Sequence, residues 1–283
     1  MLPHVISVDN MRQSDAQTIA NHTPSKELMR RAAQGIFDAV QFTGRIAIVC
    51  GSGNNGGDGY ALACILLDHG MTPVIFRVSD KFSDDGLYYY QTARSFGAEE
   101  GNIFAPSPLV GFDIVVDCLL GTGFQGTPRD SFAHAIEEIN ASGAFIVSAD
   151  INSGLNGDTG VAQLAVHSDV TVSIGCYKTG MFLGDAPDYI DLLVNADIGI
   201  LPVRDEYKLI DWERLPLFEG YGSLTLSTEE FLEKTGATPD TLNAGEYILE
   251  LSKGEGRTVV VKTAHTAIIG DLNYVYFAAD YVR

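Results

Sequence analysis

Apolar residues recur at helical spacing over residues 9–20, with Met11, Ala16 and Ile19, and over residues 25–41, with Leu28, Met29, Ala32, Ile36 and Val40. These two stretches predict a pair of helices laid as a cap against whatever follows. From residue 45 the pattern changes. Short apolar runs at 45–50, 72–78, 112–120, 144–150, 169–174 and 191–200 alternate with helix-like segments at 60–69, 84–96 and 130–141. The runs are nearly continuous in Val and Ile rather than alternating with polar residues, as parallel strands covered on both faces require. Strand and helix in alternation predict an α/β fold, a doubly wound, Rossmann-like parallel sheet in three αβα layers with right-handed crossovers. Its ligand site should lie beyond the carboxyl ends of the strands.

The pattern breaks after Leu201 and Pro202. Residues 203–245 are acidic and irregular, punctuated by Pro216, Gly220, Gly222, Gly236 and Pro239. Residues 257–278 then predict two or three strands of a hairpin or meander. Two units follow, residues 1–202 and a small β-rich appendage at 203–283.

At 283 residues, with 46% apolar and 19% charged residues, the chain is long enough for a sizeable core. The net charge of -19 opposes attraction to nucleic acid or to anionic membranes. No basic segment followed by an apolar stretch opens the sequence, and no run approaches the roughly 18 apolar residues of a membrane span, which points to the cytoplasm. Cys50, Cys64, Cys118 and Cys176 lack paired metal spacing and are expected as free, buried thiols.

Candidate chemistry concentrates where three strands should end. The stretch VCGSGNNGGDG, residues 49–59, joins the first core strand to a helix start through five glycines. Glycines permit positive φ and close approach of a ligand, and free helix N–H groups attract anions without a basic side chain, so a phosphorylated ligand is expected. Gly51, Gly53 and Gly56 match the dinucleotide fingerprint, but Asn54, Asn55 and Asp58 are unusual fillings for a plain cofactor loop. The second loop follows Asp117 and holds Gly121, Thr122, Gly123, Phe124, Gln125, Gly126 and Thr127; the third holds Asp150, Asn152 and Ser153. Asn55, Asp117 and Ser153 form a set of hard oxygen donors suited to an alkali or alkaline-earth cation. Taken one at a time, each is better read as serving turn geometry or helix capping, and it is their convergence at three strand ends that favours function.

In order and spacing, GNNGGDG, D-x-x-x-G-T-G and D-x-x-S-G-L-x-x-D-T-G resemble the YjeF N-terminal domain family, the NAD(P)H-hydrate epimerases. KELMRRAA near the start and SIGCYKTGMFLGDAPDYIDLLVNADIGIL at 173–201 extend the likeness over residues 8–202. The resemblance implies an isomerase of cofactor repair that interconverts the R and S forms of NADHX and NADPHX, nicotinamide cofactors hydrated at C6. A separate dehydratase activity then repairs the S form. It also implies one potassium ion per subunit at Asn55, Asp117 and Ser153, and a dimer. Substrate contacts would come from Asn54, Asn55, Gly56, Gly57 and Asp58, from the segment Gly121 to Thr127, and from Asp150. Inversion at C6 needs a group that moves a proton to and from the hydroxyl. Asp150 is the first choice, Asp58 the second.

Two residues depart from the family pattern: Asn152 stands where a proline is usual, which should loosen the loop, and Arg30 where a glutamate is usual, which reverses charge near the catalytic face. The segment GRTVVVKTAHTAIIGDLNYVYF resembles the LKGxxT segment and following strands, a truncated part, of the ADP-dependent dehydratase domain, with Lys262 and Thr266 in matching places and Thr263 where that family has glycine. Two other readings stay open: an NAD-dependent dehydrogenase with Asp80 reaching a ribose, and a non-catalytic scaffold or binding protein.

Overall fold

A computed structural model describes residues 2–220, 222–239 and 244–283. The first part of the chain runs β1 (His4–Ile6), α1 (Val8–Asn21), α2 (Ser25–Ala39), β2 (Ile46–Cys50), α3 (Asn54–Asp68), β3 (Val74–Arg77), α4 (Asp84–Ser95) and β4 (Glu99–Gly101). It continues with β5 (Ile114–Cys118), α5 (Asp130–Asn140), β6 (Phe145–Ala149), β7 (Val170–Ile174), β8 (Tyr177–Lys178), α6 (Ala186–Tyr189) and β9 (Leu193–Ala196). After these come β10 (Tyr207–Leu209), β11 (Leu224–Leu226), α7 (Thr228–Thr235), α8 (Ala244–Glu255), β12 (Val259–Lys262), β13 (Thr266–Gly270) and β14 (Val275–Ala279).

Seven strands form one sheet in the order β4-β3-β2-β5-β6-β7-β9, every neighbouring pair parallel. This is the doubly wound α/β sheet expected from the Val and Ile runs. β2 and β5 are wholly buried, so each of their residues meets a helix layer on one face or the other. One core cluster joins Ile46, Ile48 and Val116 to Ala33 and Ile36 of α2 and Leu62 and Leu66 of α3; another joins Ala47, Val49 and Val115 to Ala135, Ile136 and Ile139 of α5. Each fully buried Val, Leu or Ile contributes roughly 1.5–3 kcal/mol. From β2 the chain winds one way to β3 and β4, and from β5 the other way to β6, β7 and β9. The topological switch point therefore falls between β2 and β5, where Cys50 and Cys118 lie side by side in register.

A second seven-strand sheet has the order β11-β12-β13-β14-β10-β1-β8. It crosses the boundary anticipated near residue 203, because β1 pairs with β10 on one side and with β8 on the other. The meander β12-β13-β14 is antiparallel, as anticipated. Much of 203–245 is more regular than its composition suggested. β10, β11 and α7 lie within it, and α7 opens with a full capping box between Ser227 and Glu230. Positions 221 and 240–243 of that stretch lie outside the described residues. The end of the chain returns to the first sheet: Val282 bridges Leu193 in parallel, Leu193 N–H donates to Tyr281 O at 2.8 Å and Arg283 N–H to Leu193 O at 3.0 Å. That segment covers the β9 edge. All four cysteines are free, three buried and Cys64 half-buried, and among the described residues no helix is long and apolar enough to cross a membrane.

Candidate active site

The three expected loops meet beside the switch point, around a cavity of about 560 Å³. Ser52, Gly53, Asn54, Asn55 and Asp58 line it from the start of α3, Leu119 to Phe124 from the loop after β5, and Asp150 from the end of β6. α1 and α2 close it from the other side. Gly56 and Gly57 are buried and do not line it, nor do the exposed Gln125 and Gly126, and the Thr127 hydroxyl donates to Gln163 Oε1 at 2.7 Å.

The glycine-rich stretch is built differently from the turn anticipated. Helix α3 begins at Asn54, with Gly53 as its N-cap, so NNGGDG is helical. None of Gly51, Gly53, Gly56, Gly57 and Gly59 has a positive φ. Three of them, Gly51, Gly56 and Gly59, are required by crowding instead, and at Gly57 the first atom met is the flexible end of Met29. A Cβ on Gly51 would sit 1.9 Å from Leu119 O, one on Gly56 2.2 Å from Gly51 O, one on Gly57 2.5 Å from Met29 Cε and one on Gly59 2.8 Å from Cys50 Sγ. The absent side chains let α3 start directly against the sheet. No side chain caps Gly53, so the first-turn N–H groups remain free to meet an anion at the cavity edge.

Asp117, Ser153 and Asn55 come together as the oxygen-donor pattern suggested. The buried Asp117 carboxylate accepts four hydrogen bonds: Oδ1 from Leu119 N (3.1 Å) and Ser153 Oγ (2.5 Å), Oδ2 from Ser148 Oγ (2.9 Å) and Ser153 N (2.9 Å). Burial raises its pKa, and the hydrogen bonds from Ser153, Leu119 and Ser148 oppose that rise. Ser153 Oγ also accepts from Leu120 N at 2.8 Å. Asn55 Nδ2 donates to Leu120 O at 2.9 Å, while Asn55 Oδ1 is buried with no partner. Asn55 Oδ1, an orphaned buried amide oxygen tied through Leu120 and Ser153 to the Asp117 carboxylate, is a hard donor whose chemistry fits an alkali or alkaline-earth cation.

Asp150 has φ 67°, in the left-handed region where only Gly, Asn and Asp are at ease. That turn aims its carboxylate back over the strand end. Lys178 Nζ donates to its Oδ1 at 2.5 Å, and to Ile174 O at 2.9 Å. Lys178 is 0% exposed, and burying an ammonium without a partner is expensive, so the pair fixes both groups. Reading the chain alone passed over Lys178. It stands in the CYKTG segment after an apolar run, and only the return of β8 against β1 carries it to Asp150.

Asp58 and Asp15 complete the charged wall. Burial first, then the neighbouring carboxylates Asp150 and Asp15, push Asp58 well above the usual carboxylate range, with Lys178 pulling against them. Burial and then Asp150 raise Asp15 as well. Asp15 was also passed over, since nothing in DNMRQSDAQ distinguishes it from a solvated helix residue. Arg30 does not reach the cavity: it is half-exposed and grips Glu27 with two bonds of 2.9 Å, and together with Arg31 holds that carboxyl at about 2. Nor does Asn152 leave its loop loose. It is fully buried, Nδ2 faces Val166 O, Ser168 Oγ and Tyr189 O at 2.8–2.9 Å, and Oδ1 accepts from Thr171 Oγ1 at 2.6 Å. The side chain supplies by hydrogen bonding the stiffness a proline ring would supply covalently. Asp80 is 100% exposed beside Arg77 and does not line the cavity, so it offers no ribose contact there. In the appendage, Lys262 lies 3.3 Å from Glu219 and over the Trp212 ring, and the Thr266 hydroxyl is 2.8 Å from that of Thr263, which engages these residues in local packing.

Fold and site thus define an α/β protein with a cavity at the switch point of a parallel sheet, bordered by the start of α3 and by Asp15, Asp58 and Asp150. The family described as YjeF-related protein N-terminus matches residues 25–180, and the chain belongs to it. It is 34% identical over 214 residues to an NAD(P)H-hydrate epimerase from Lentilactobacillus buchneri, an alignment that covers 70% of this chain and 96% of that one. A bifunctional NAD(P)H-hydrate repair enzyme from Methanothermobacter thermautotrophicus is 37% identical over 190 residues, covering 62% of this chain and 36% of that one. The chain therefore spans well under half the length of that bifunctional relative. Among solved structures, the yeast protein ynu0 (YNL200c) shares the fold, with a TM-score of 0.57, 20% identity, and coverage of 66% of this chain and 84% of the other.

Proposed function

We propose that the protein is an NAD(P)H-hydrate epimerase, an isomerase that interconverts the R and S hydrates of NADH and NADPH. The observation that carries this reading is Asp150. Its carboxylate is turned into the cavity by a left-handed backbone, fixed by the buried Lys178, and set beside a glycine-rich helix start that can take the substrate's phosphates. Inversion at C6 asks for proton transfer at the C6 hydroxyl and no hydride acceptor. Asp150 is placed to move that proton, and Lys178 orients it. Asp58, whose carboxyl is pushed up by burial and by the neighbouring Asp150 and Asp15, faces the substrate from the same wall and can donate a hydrogen bond when protonated.

Asn55 Oδ1, the remaining lone pair of Ser153 Oγ and the charge of Asp117 would hold a potassium ion, which would tie the α3 and β5 loops together and offset negative charge on the substrate. The reading includes cytoplasmic action, a homodimer, and supply of the S form to a dehydratase. Incubating purified protein with (R)-NADHX and following the epimer ratio by chromatography tests the central claim: interconversion is expected, and none would sink it. Asp150→Asn should abolish interconversion while the far-ultraviolet circular dichroism stays native. Exchange of potassium for a large organic cation should lower the rate, and an unchanged rate would remove the ion from the reading. Size-exclusion chromatography with light scattering decides the dimer.

A further inference from the structure

Helix α1 walls the cavity with Met11, Arg12 and Asp15, yet it is not held by an apolar face. Of its four buried residues, Asn10, Ser14 and Thr18 are polar and only Met11 is apolar. Its anchors come largely from the start of the appendage. Ser7 N–H donates to Glu206 Oε2 at 2.6 Å and the Ser7 hydroxyl to Glu206 Oε1 at 3.0 Å, while Ser7 Oγ caps the helix by accepting from Asn10 N. Asn10 Nδ2 donates to Arg204 O at 2.8 Å, Val203 N–H to Ser14 Oγ at 2.9 Å, and Arg204 Nη2 to Asp9 at 3.1 Å. Glu206, with Asp158 on Val8 N–H at 2.7 Å, also sets two carboxylates at the positive end of the helix. The strand before α1 is fixed in the same way. β1 lies between β10 of the appendage and β8, and β8 carries Lys178. The second sheet therefore controls both the wall that holds Asp15 and the lysine that holds Asp150.

We infer that residues 203–283 complete the epimerase site by holding α1 against it through Glu206, so that Asp15 serves as the proton-transfer partner of Asp150. This rests on the epimerase reading. Asp150 and Asp15 approach the substrate ring from different walls, one from the end of the parallel sheet and one from the cap. Asp150 takes the proton of the C6 hydroxyl as the C6–N1 bond breaks. The bonding pair goes to N1, which receives the proton of Asp15, leaving an aldehyde at C6. The aldehyde turns about C5–C6 and N1 attacks its other face, returning its proton to Asp15 while Asp150 reprotonates the oxygen. Both carboxyls end as they began, and no further reactant enters. Asp15 must therefore start protonated. Its surroundings favour that state: Asp58, Asp150 and Asp85 share the cavity with it, against Arg12, which is drawn to Asp9 at 2.7 Å, and Lys178, which is spent on Asp150.

The test uses the full chain and its variants D15N, E206A and E206Q, assayed with (R)-NADHX across pH. D15N should lose about 100-fold in kcat with little change in KM. E206A should lose about tenfold, and its alkaline limb should move to lower pH, since withdrawal of α1 relieves Asp15 of burial and of the field of Asp150. E206Q should recover most of the rate, because its amide oxygen can accept from Ser7 N–H while its amide nitrogen donates to Ser7 Oγ. Full activity in D15N or E206A overturns the inference, as does an E206A whose pH limb stays in place. An inactive wild type would remove the epimerase reading instead. The anchoring would still be decided by amide exchange over residues 8–21, where faster exchange in E206A is expected and unchanged exchange overturns it.

Discussion

The two seven-strand sheets are assembled in opposite ways. The first is drawn from residues 46–196, interrupted by β8, and is all parallel, and its register brings Asp117 and Asp150 to adjacent strand ends as a consequence of the winding. The second draws strands from residues 4–6, 177–178 and 207–279, and none of its short members in the first 202 residues could stand alone. The first sheet supplies oxygens and glycines. The second supplies the groups that hold them in place, Lys178 directly and α1 through β1. A site can thus be visible in motifs while its orientation depends on strands of two or three residues that carry no strand pattern of their own.

Lys178 is where that division can be broken most sharply. Replacing it by Met keeps much of the volume but leaves Asp150 without its ammonium in a partly buried site. Breaking such a pair costs about 3–5 kcal/mol when the stranded charge stays buried. Relaxation of Asp150 toward solvent would lower the cost to stability while still misplacing the carboxylate. Lys178→Met should therefore lower the urea midpoint and reduce epimerisation by about 10³-fold. A variant with wild-type stability and rate would show that the second sheet does not govern the first.

The parallel sheet and the three loops were legible because each rests on local signals: apolar runs of strand length, and glycines and aspartates just beyond them. What was not legible shows why. β1 and β8 are three and two residues long, below any periodicity, and Lys178 and Asp15 acquire meaning only when distant segments pair. The glycines were noticed for a conformation they do not adopt, since crowding against Leu119 and Cys50 is a tertiary fact. α8 escaped because AGEYILELSKGE follows a Gly- and Pro-punctuated stretch that suggested irregular chain.

Asn152 tests whether hydrogen bonding does replace a proline. Asn152→Ala should cost about 1–3 kcal/mol, because it strands the Val166 carbonyl in a buried site and leaves Thr171 Oγ1 with Ser168 Oγ alone and Tyr189 O with Ser168 N–H alone. Equilibrium urea unfolding at constant m measures it. An effect below about 0.5 kcal/mol would mean that these groups find other partners.

Asp58 yields a prediction whose sign is fixed by its raised pKa. Such a carboxyl contributes full stability while protonated in both folded and unfolded chains, below about 3.8. Stability is then lost as pH rises from the unfolded value through the higher folded one. Asp58→Asn removes this loss, so the variant should match the wild type near pH 3 and unfold at a higher temperature near pH 8. A gap that is constant across pH would place the effect in packing rather than ionisation.

The smallest effect separates the glycines from one another. Around a Cβ built on Gly53 there is nothing within 4 Å, and its φ of -93° suits any residue, whereas at Gly51 the same Cβ meets a backbone oxygen that cannot yield without parting β2 from β5. Gly53→Ala should change stability by about 0.5 kcal/mol, the modest penalty of a poorer N-cap. Gly51→Ala should be far more damaging, since overpacking against backbone has no rotamer to absorb it. Comparable losses at both positions would mean that the stretch works as a flexible turn after all. A large gap would show that its glycines serve the approach of α3 to the switch point, the arrangement that sets the helix start at the cavity edge.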